Sequence, residues 1–207
     1  MVTVAPARPP LQQDAIVEAA CELIATAGLD SLTLRRLADV FSVSAPALYA
    51  HFANKHELLR AVAEREFDRL IQRYREIDAA ADPDRPLERI RAQCRNYVQH
   101  SQQQPELFKV MFLFPPDLGD IASVPEGSEL PAATRAFSMA LGAIEDAASA
   151  GAIAADDPLM VALTVWAGVH GVANMFSLGL GMSEQFQDAL TDEVIDTLLR
   201  GYGADVS

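Results

Sequence analysis

The chain has 207 residues, 50% of them hydrophobic and 7% aromatic, and a net charge of −13 at pH 7. That is enough apolar material for one large or two small domains, and the acidity taken as a whole argues against a nucleic-acid partner. Two cysteines, Cys21 and Cys94, lie in helix-like segments without CxxC or Cys/His spacing, which predicts a reduced cytosolic protein with no disulfide and no metal site. The start, MVTVAPARPP, lacks the apolar core of a signal peptide.

Residues 1–10 are Pro-rich and read as a disordered arm, with Arg8 its one basic residue. Leu11–Ala27 carries Ile16, Ala20, Leu23 and Ile24 at helical spacing and stops at Gly28. Thr33 can cap a short helix from Leu34 to about Val40, and Phe41-Ser42-Val43 is a tight turn. Ser44 then caps a second short helix with Pro46 in its first turn, followed by Leu48, Tyr49 and Phe52. Asn54-Lys55-His56-Glu57 reads as a capping box opening a long helix that continues to Asp78 through Leu59, Val62, Phe67, Leu70, Ile71 and Tyr74. A short helix, a turn and a second short helix is the geometry of a helix-turn-helix that reads DNA.

The charge distribution permits that reading. Through Asp78 the chain is nearly balanced, at −2, whereas the remainder carries −11. Within 31–56, Arg35, Arg36 and Lys55 face Asp39 alone, a locally positive tip on an acidic body.

Ala79–Pro86 breaks the pattern, and a helix follows from Pro86 to about Gln103. Pro105 opens a short helix, Glu106–Phe114, which Pro115-Pro116 stops. Asp117–Leu130 reads as a loop, and another helix spans about Pro131–Ala150. Asp156-Asp157-Pro158 is a strong helix start, and 158–183 contains no Asp, Glu, Lys or Arg. Thr164, His170, Asn174 and Ser177 argue against a membrane span, so this run is expected to be a central helix buried on all sides. The last helix, about Glu184–Arg200, is amphipathic and ends at Gly201.

The residues Leu37-Ala38, Val43-Ser44, Leu48-Tyr49-Ala50-His51-Phe52, Lys55, Glu57 and Leu58-Leu59 resemble the N-terminal signature of tetracycline-repressor (TetR) regulators over roughly Leu11–Val62. One departure is Ser42, where the family usually has Gly before Val-Ser; a positive φ costs Ser more than Gly. Trp166-Ala167-Gly168-Val169-His170-Gly171 resembles the Trp-x-x-x-His-Gly signature of one C-terminal subgroup. The resemblance implies repression relieved by a ligand that shifts the 54–78 helix and so the spacing of two DNA-reading heads.

The expected fold is therefore all-α, about nine helices, with an arm at 1–10, a three-helix helix-turn-helix domain at 11–56 and an effector-binding and dimerisation domain at 57–207, the helix 54–78 being shared. For the major groove the candidates are Ser44, Ala45 and Ala47 near the helix start, with Tyr49 and His51 for phosphate or base edges. Thr33 and Lys55 at helix N-termini, and Arg36, suit backbone phosphates. One module buries too little to hold an operator, so a homodimer is expected through a four-helix interface of the last two helices, with Ala167, Gly168, Gly171 and Ala173 permitting close approach. Phe108, Met111, Phe112, Phe137, Trp166, Met175 and Phe176 supply bulk for a pocket holding a small lipophilic effector, and Tyr97, His170 and Asn174 could orient it; the same residues also suit a plain core.

An enzyme is disfavoured: there is no GxSxG, no phosphate-cradling glycine loop and no metal spacing, and no cofactor is expected. A helix-turn-helix-derived interaction module without specific DNA binding is the alternative, and salt-sensitive binding to one DNA fragment separates it from a regulator.

Overall fold

The computed structural model describes residues 11–114 and 131–205. Among these the chain is all-α: α1 (Gln13–Ala27), a 3-10 turn (Leu29–Ser31), α2 (Leu34–Phe41), α3 (Ala45–Tyr49), α4 (Lys55–Ala80), α5 (Pro86–Gln103), α6 (Pro105–Leu113), α7 (Ala132–Ser149), α8 (Pro158–Ser177) and α9 (Glu184–Gly201). The arm at 1–10, Pro115-Pro116 and the loop at 117–130 lie outside the described residues.

α1, α2, α3 and the first turns of α4 close around Ile16, Ile24, Leu37, Leu48, Phe52 and Leu58, all at most 1% exposed. Each such side chain contributes about 1.5–3 kcal/mol of burial. Thr33 caps α2 as expected, its Oγ1 accepting the Arg36 N–H at 3.1 Å. Ser42 takes the left-handed conformation, φ 50 and ψ 44, the one non-glycine positive φ among the described residues. The turn still closes, with the Val43 N–H on Ala38 O at 2.9 Å.

Ser44 departs from expectation, because its side chain makes no cap. Pro46 removes the N–H at the second helical position, and the Ala47 N–H goes to the Ser44 carbonyl at 2.9 Å. The hydroxyl is left on the surface. At α4, Asn54 Oδ1 accepts the Glu57 N–H at 2.9 Å, and Glu57 Oε2 reaches back to the Ala53 N–H at 2.6 Å, one residue ahead of the cap.

A second core, built from α4 to α9, centres on Phe67, Tyr97, Val98, Phe108, Met111, Ile195 and Leu199. α6 serves both cores, giving Leu107 and Val110 to the first and Phe108 and Met111 to the second. Its Glu106 Oε2 accepts the Leu29 N–H at 3.2 Å, tying the body to the N-terminal unit.

α8 corrects the expectation of a helix buried on all sides. Val161, Val165, Val169, Val172 and Phe176 pack inward, while Leu159, Met160, Leu163, Trp166 and Met175 are 39–58% exposed. Its length and mean hydropathy of 1.5 would suffice for a membrane span, and 33% of that stretch is buried. An uncharged run reads alike for a core helix and for a helix with one apolar face uncovered. The small residues divide accordingly. A Cβ on Gly168 would stand 2.6 Å from Leu198 Cδ1 of α9, and Ala173 is fully buried, so both serve packing within the subunit. Ala167 and Gly171 lie on the exposed face.

Candidate functional site

The first candidate surface is the tip of the N-terminal unit. Leu48 anchors α3 in the core, and the helix start and opposite face stay accessible. Thr33, Arg36 and Ser44 are exposed, as is Tyr49 at 54%; Ala47, His51 and Lys55 are half-buried. Ala45 packs partly against the core, which reduces what it offers outward. Thr33 and Lys55 stand at the N-termini of α2 and α4, where unpaired N–H groups and the helix dipole favour an anion.

The second candidate is an aromatic cluster where α5, α6 and α8 meet. The Tyr97 hydroxyl lies 2.7 Å from His170 Nδ1. Around that imidazole, Trp166 stacks at 5.2 Å, Phe112 stands at 4.5 Å and Phe108 at 5.9 Å between centroids. Burial lowers the His170 pKa and raises that of the Tyr97 phenol, a hydrogen bond from Trp166 offsetting part of the latter. Both groups are thus neutral at pH 7.

Not every predicted pocket residue joins this cluster. Met111 is fully buried in the surrounding core, and Phe137 packs against the same core. Asn174 is exposed and turns along its own helix, its Nδ2 donating to the His170 carbonyl at 3.0 Å. Met175 is 39% exposed on the outer face, whereas Phe176 is core.

These two regions coincide with two family matches. Residues 16–62 match "Bacterial regulatory proteins, tetR family" and residues 90–198 match "Tetracyclin repressor-like, C-terminal domain". The chain belongs to the tetracycline-repressor family. It is 50% identical to the class C tetracycline repressor of Escherichia coli over 54 residues, 26% of this chain and 25% of that protein. The chain thus matches only a quarter of that repressor's length. An uncharacterized HTH-type transcriptional regulator of Mycobacterium tuberculosis is similar over 92% of this chain and 81% of its own, at 26% identity. Among solved structures, a protein of unknown function from Rhodococcus sp. RHA1 superposes with a TM-score of 0.75 at 25% identity, covering 96% of this chain and 99% of that one.

Within this TetR-family fold, one polar cluster was missed from sequence. Glu66, fully buried on α4, receives Arg69 and lies 3.5 Å from His100 Nε2 of α5, and its charge helps to raise the pKa of the Cys21 thiol of α1. Glu18 of α1 takes Arg65 at 3.3 Å and also Arg69. Burial pushes Glu66 up, despite Arg69 beside it, and lowers His100 to about 4. It also pushes both thiols, Cys21 and Cys94, up to about 12, which makes them poor nucleophiles. The signal was available: Glu66 occupies an apolar-stripe position between Val62 and Leu70.

Proposed function

We propose that the protein is a ligand-responsive, DNA-binding transcriptional regulator, a repressor released from a palindromic operator by a small lipophilic effector. What carries this reading is one arrangement: an outward-facing α2–turn–α3 unit joined through α4 and α6 to an aromatic cluster, open at Trp166, with one polar pair. In this assignment 11–56 reads DNA and 57–207 binds effector and partner, α4 being shared.

α3 enters the major groove, with Ser44, Ala45 and Ala47 at its leading end and Tyr49 and His51 along it. Thr33, Arg36 and Lys55 hold phosphates on either side. Few of these side chains are long and polar, so sequence-dependent DNA shape contributes to specificity. The uncovered α8 face, from Leu159 to Met175, pairs with its copy in a second subunit, and α9 completes a four-helix homodimer interface. Such a dimer presents two α3 helices to half-sites about 34–36 Å apart.

The effector sits against Trp166, His170, Phe112, Phe108 and Tyr97, with Met111 and Phe137 forming the wall behind. Apolar rings around one polar pair suit a lipophilic molecule carrying a single hydrogen-bonding group. It acts by preferring the conformation that does not fit the operator. On this reading the protein works in the cytoplasm, alongside its operator, as a binding protein and not an enzyme.

Footprinting on DNA flanking its coding region, with Tyr49→Ala alongside, tests the reading. A palindromic footprint weakened in the variant is expected. Absence of any footprint there and in a genome-wide DNA selection at low salt would overturn it.

A further inference from the structure

α6 touches the N-terminal unit at both of its ends. At its start the Glu106 carboxylate reaches the link between α1 and α2, where Oε2 accepts the Leu29 N–H at 3.2 Å. That N–H opens the 3-10 turn Leu29–Ser31, directly after Gly28 at φ 80, and a helix supplies no partner for its own first N–H. At the other end the Phe114 ring meets His56, in the first turn of α4, at 5.5 Å between centroids. Between those points Leu107 and Val110 join the N-terminal core.

Other side chains of α6 belong to the aromatic cluster. Phe112 stands 5.1 Å from Phe108 and 4.5 Å from His170 between centroids. Glu106 and Phe112 are six positions apart on one short helix, about 9 Å at 1.5 Å per residue. Over so short a length a helix moves as one piece, so whatever displaces the two rings also displaces the carboxylate. Lys109, its Nζ 2.6 Å from Oε1, and then the Leu29 N–H hold Glu106 below the usual carboxylate range. The acceptor is therefore ionised, which gives the stronger kind of hydrogen bond. The turn it grips runs through fully buried Leu32 into Thr33, the cap of α2.

We infer that Glu106 is a positioning residue, which passes displacements of the Phe108–Phe112–His170 packing to the α1–α2 link and so to the seat of the reading helices. This rests on the reading of the cluster as the effector site and of the N-terminal unit as the DNA reader. It gives the body a second hold on that unit besides α4.

The test is hydrogen exchange of the full-length protein, without DNA or effector, followed by mass spectrometry over residues 28–37. Two variants disturb the cluster from different sides: Phe112→Leu, and Trp166→Ala at a position 40% exposed. Each is measured in the natural chain and beside Glu106→Ala, which removes the acceptor, or Glu106→Gln, which keeps one. In variants that retain helical circular dichroism, the cluster changes are expected to speed exchange of this segment about threefold. That response should persist beside Glu106→Gln and vanish beside Glu106→Ala. A contact that only holds the turn in place would raise the baseline in Glu106→Ala and leave the response intact. Such a result would overturn the proposal, as would a segment indifferent to both cluster variants in the natural chain. With neither DNA nor effector present, a chain that binds no operator still gives one answer or the other. An operator found together with an intact response beside Glu106→Ala removes the role of Glu106 alone.

Discussion

The Tyr97 hydroxyl and His170 Nδ1, 2.7 Å apart, join α5 to α8 inside the aromatic cluster. Burial keeps the phenol protonated and the imidazole neutral. A protonated phenol and a neutral imidazole thus share one hydrogen bond between the two helices. Tyr97→Phe leaves Nδ1 unpaired and should lower stability by about 1 kcal/mol in urea unfolding. An unchanged midpoint would show that the pair carries no net energy.

Operator affinity should depend on the tip and not on the cluster. Tyr49→Ala is expected to weaken binding by about 1–3 kcal/mol if the ring contacts a base edge. Lys55→Ala should instead weaken all sequences alike and reduce the salt slope by about one. Fluorescence anisotropy over a salt series distinguishes the two. A Lys55→Ala variant with the wild-type slope would remove that lysine from the phosphate contacts.

The left-handed Ser42 makes a sharp steric prediction. Ser42→Val places a β-branched side chain at φ 50 and should cost about 1–2 kcal/mol, read as a lower melting temperature. Ser42→Gly meets no such penalty. Equal stability of the valine and glycine variants would mean the turn rearranges.

Acid should loosen the joint between the two cores. His100 has its pKa lowered to about 4 by burial, with Arg69 adding to the effect. The unfolded chain takes up this proton near pH 6.5, whereas the folded chain waits until about pH 4. Stability is full above pH 6.5 and falls between the two values, by at most about 3 kcal/mol. Glu66, raised in the fold from its ordinary 4.5, works in the opposite sense above that pH, within the same window. Melting curves from pH 7.5 to 4.5 should show the loss, and His100→Gln should flatten it.

The uncovered α8 face predicts the assembly state. Leu163, 40% exposed amid Leu159, Met160 and Trp166, becomes charged in Leu163→Glu. Light scattering at micromolar concentration should show a dimer for the natural chain and a monomer for the variant. A monomeric natural chain would overturn the four-helix interface.

Much of this architecture can be read from local signals. Pro86 at the start of α5, Asn54 and Glu57 at the start of α4, and Thr33 before α2 each act within four residues, so propensity and capping suffice to place them. The aromatic cluster was partly legible because Trp166 and His170 lie one turn apart, whereas Asn174, one turn further, is exposed outside it. Gly168 was assigned to contact between subunits, but its partner Leu198 lies 30 positions along the same chain. Ser44 failed as a side-chain cap because Pro46 took away the donor it needed. Those outcomes depend on which surfaces meet, and a helical period does not say that.

α4 runs unbroken for 26 residues from Lys55 to Ala80, about 39 Å at 1.5 Å per residue. Its far end is fastened by Arg89 on Asp78 at 2.7 Å and its near end carries the tip. Over that lever arm a tilt of only about 3° at the body displaces the tip by about 2 Å, an amount to which a fixed half-site spacing is sensitive. Any wedge that tilts the fastened end need therefore be no larger than a fraction of one atomic radius.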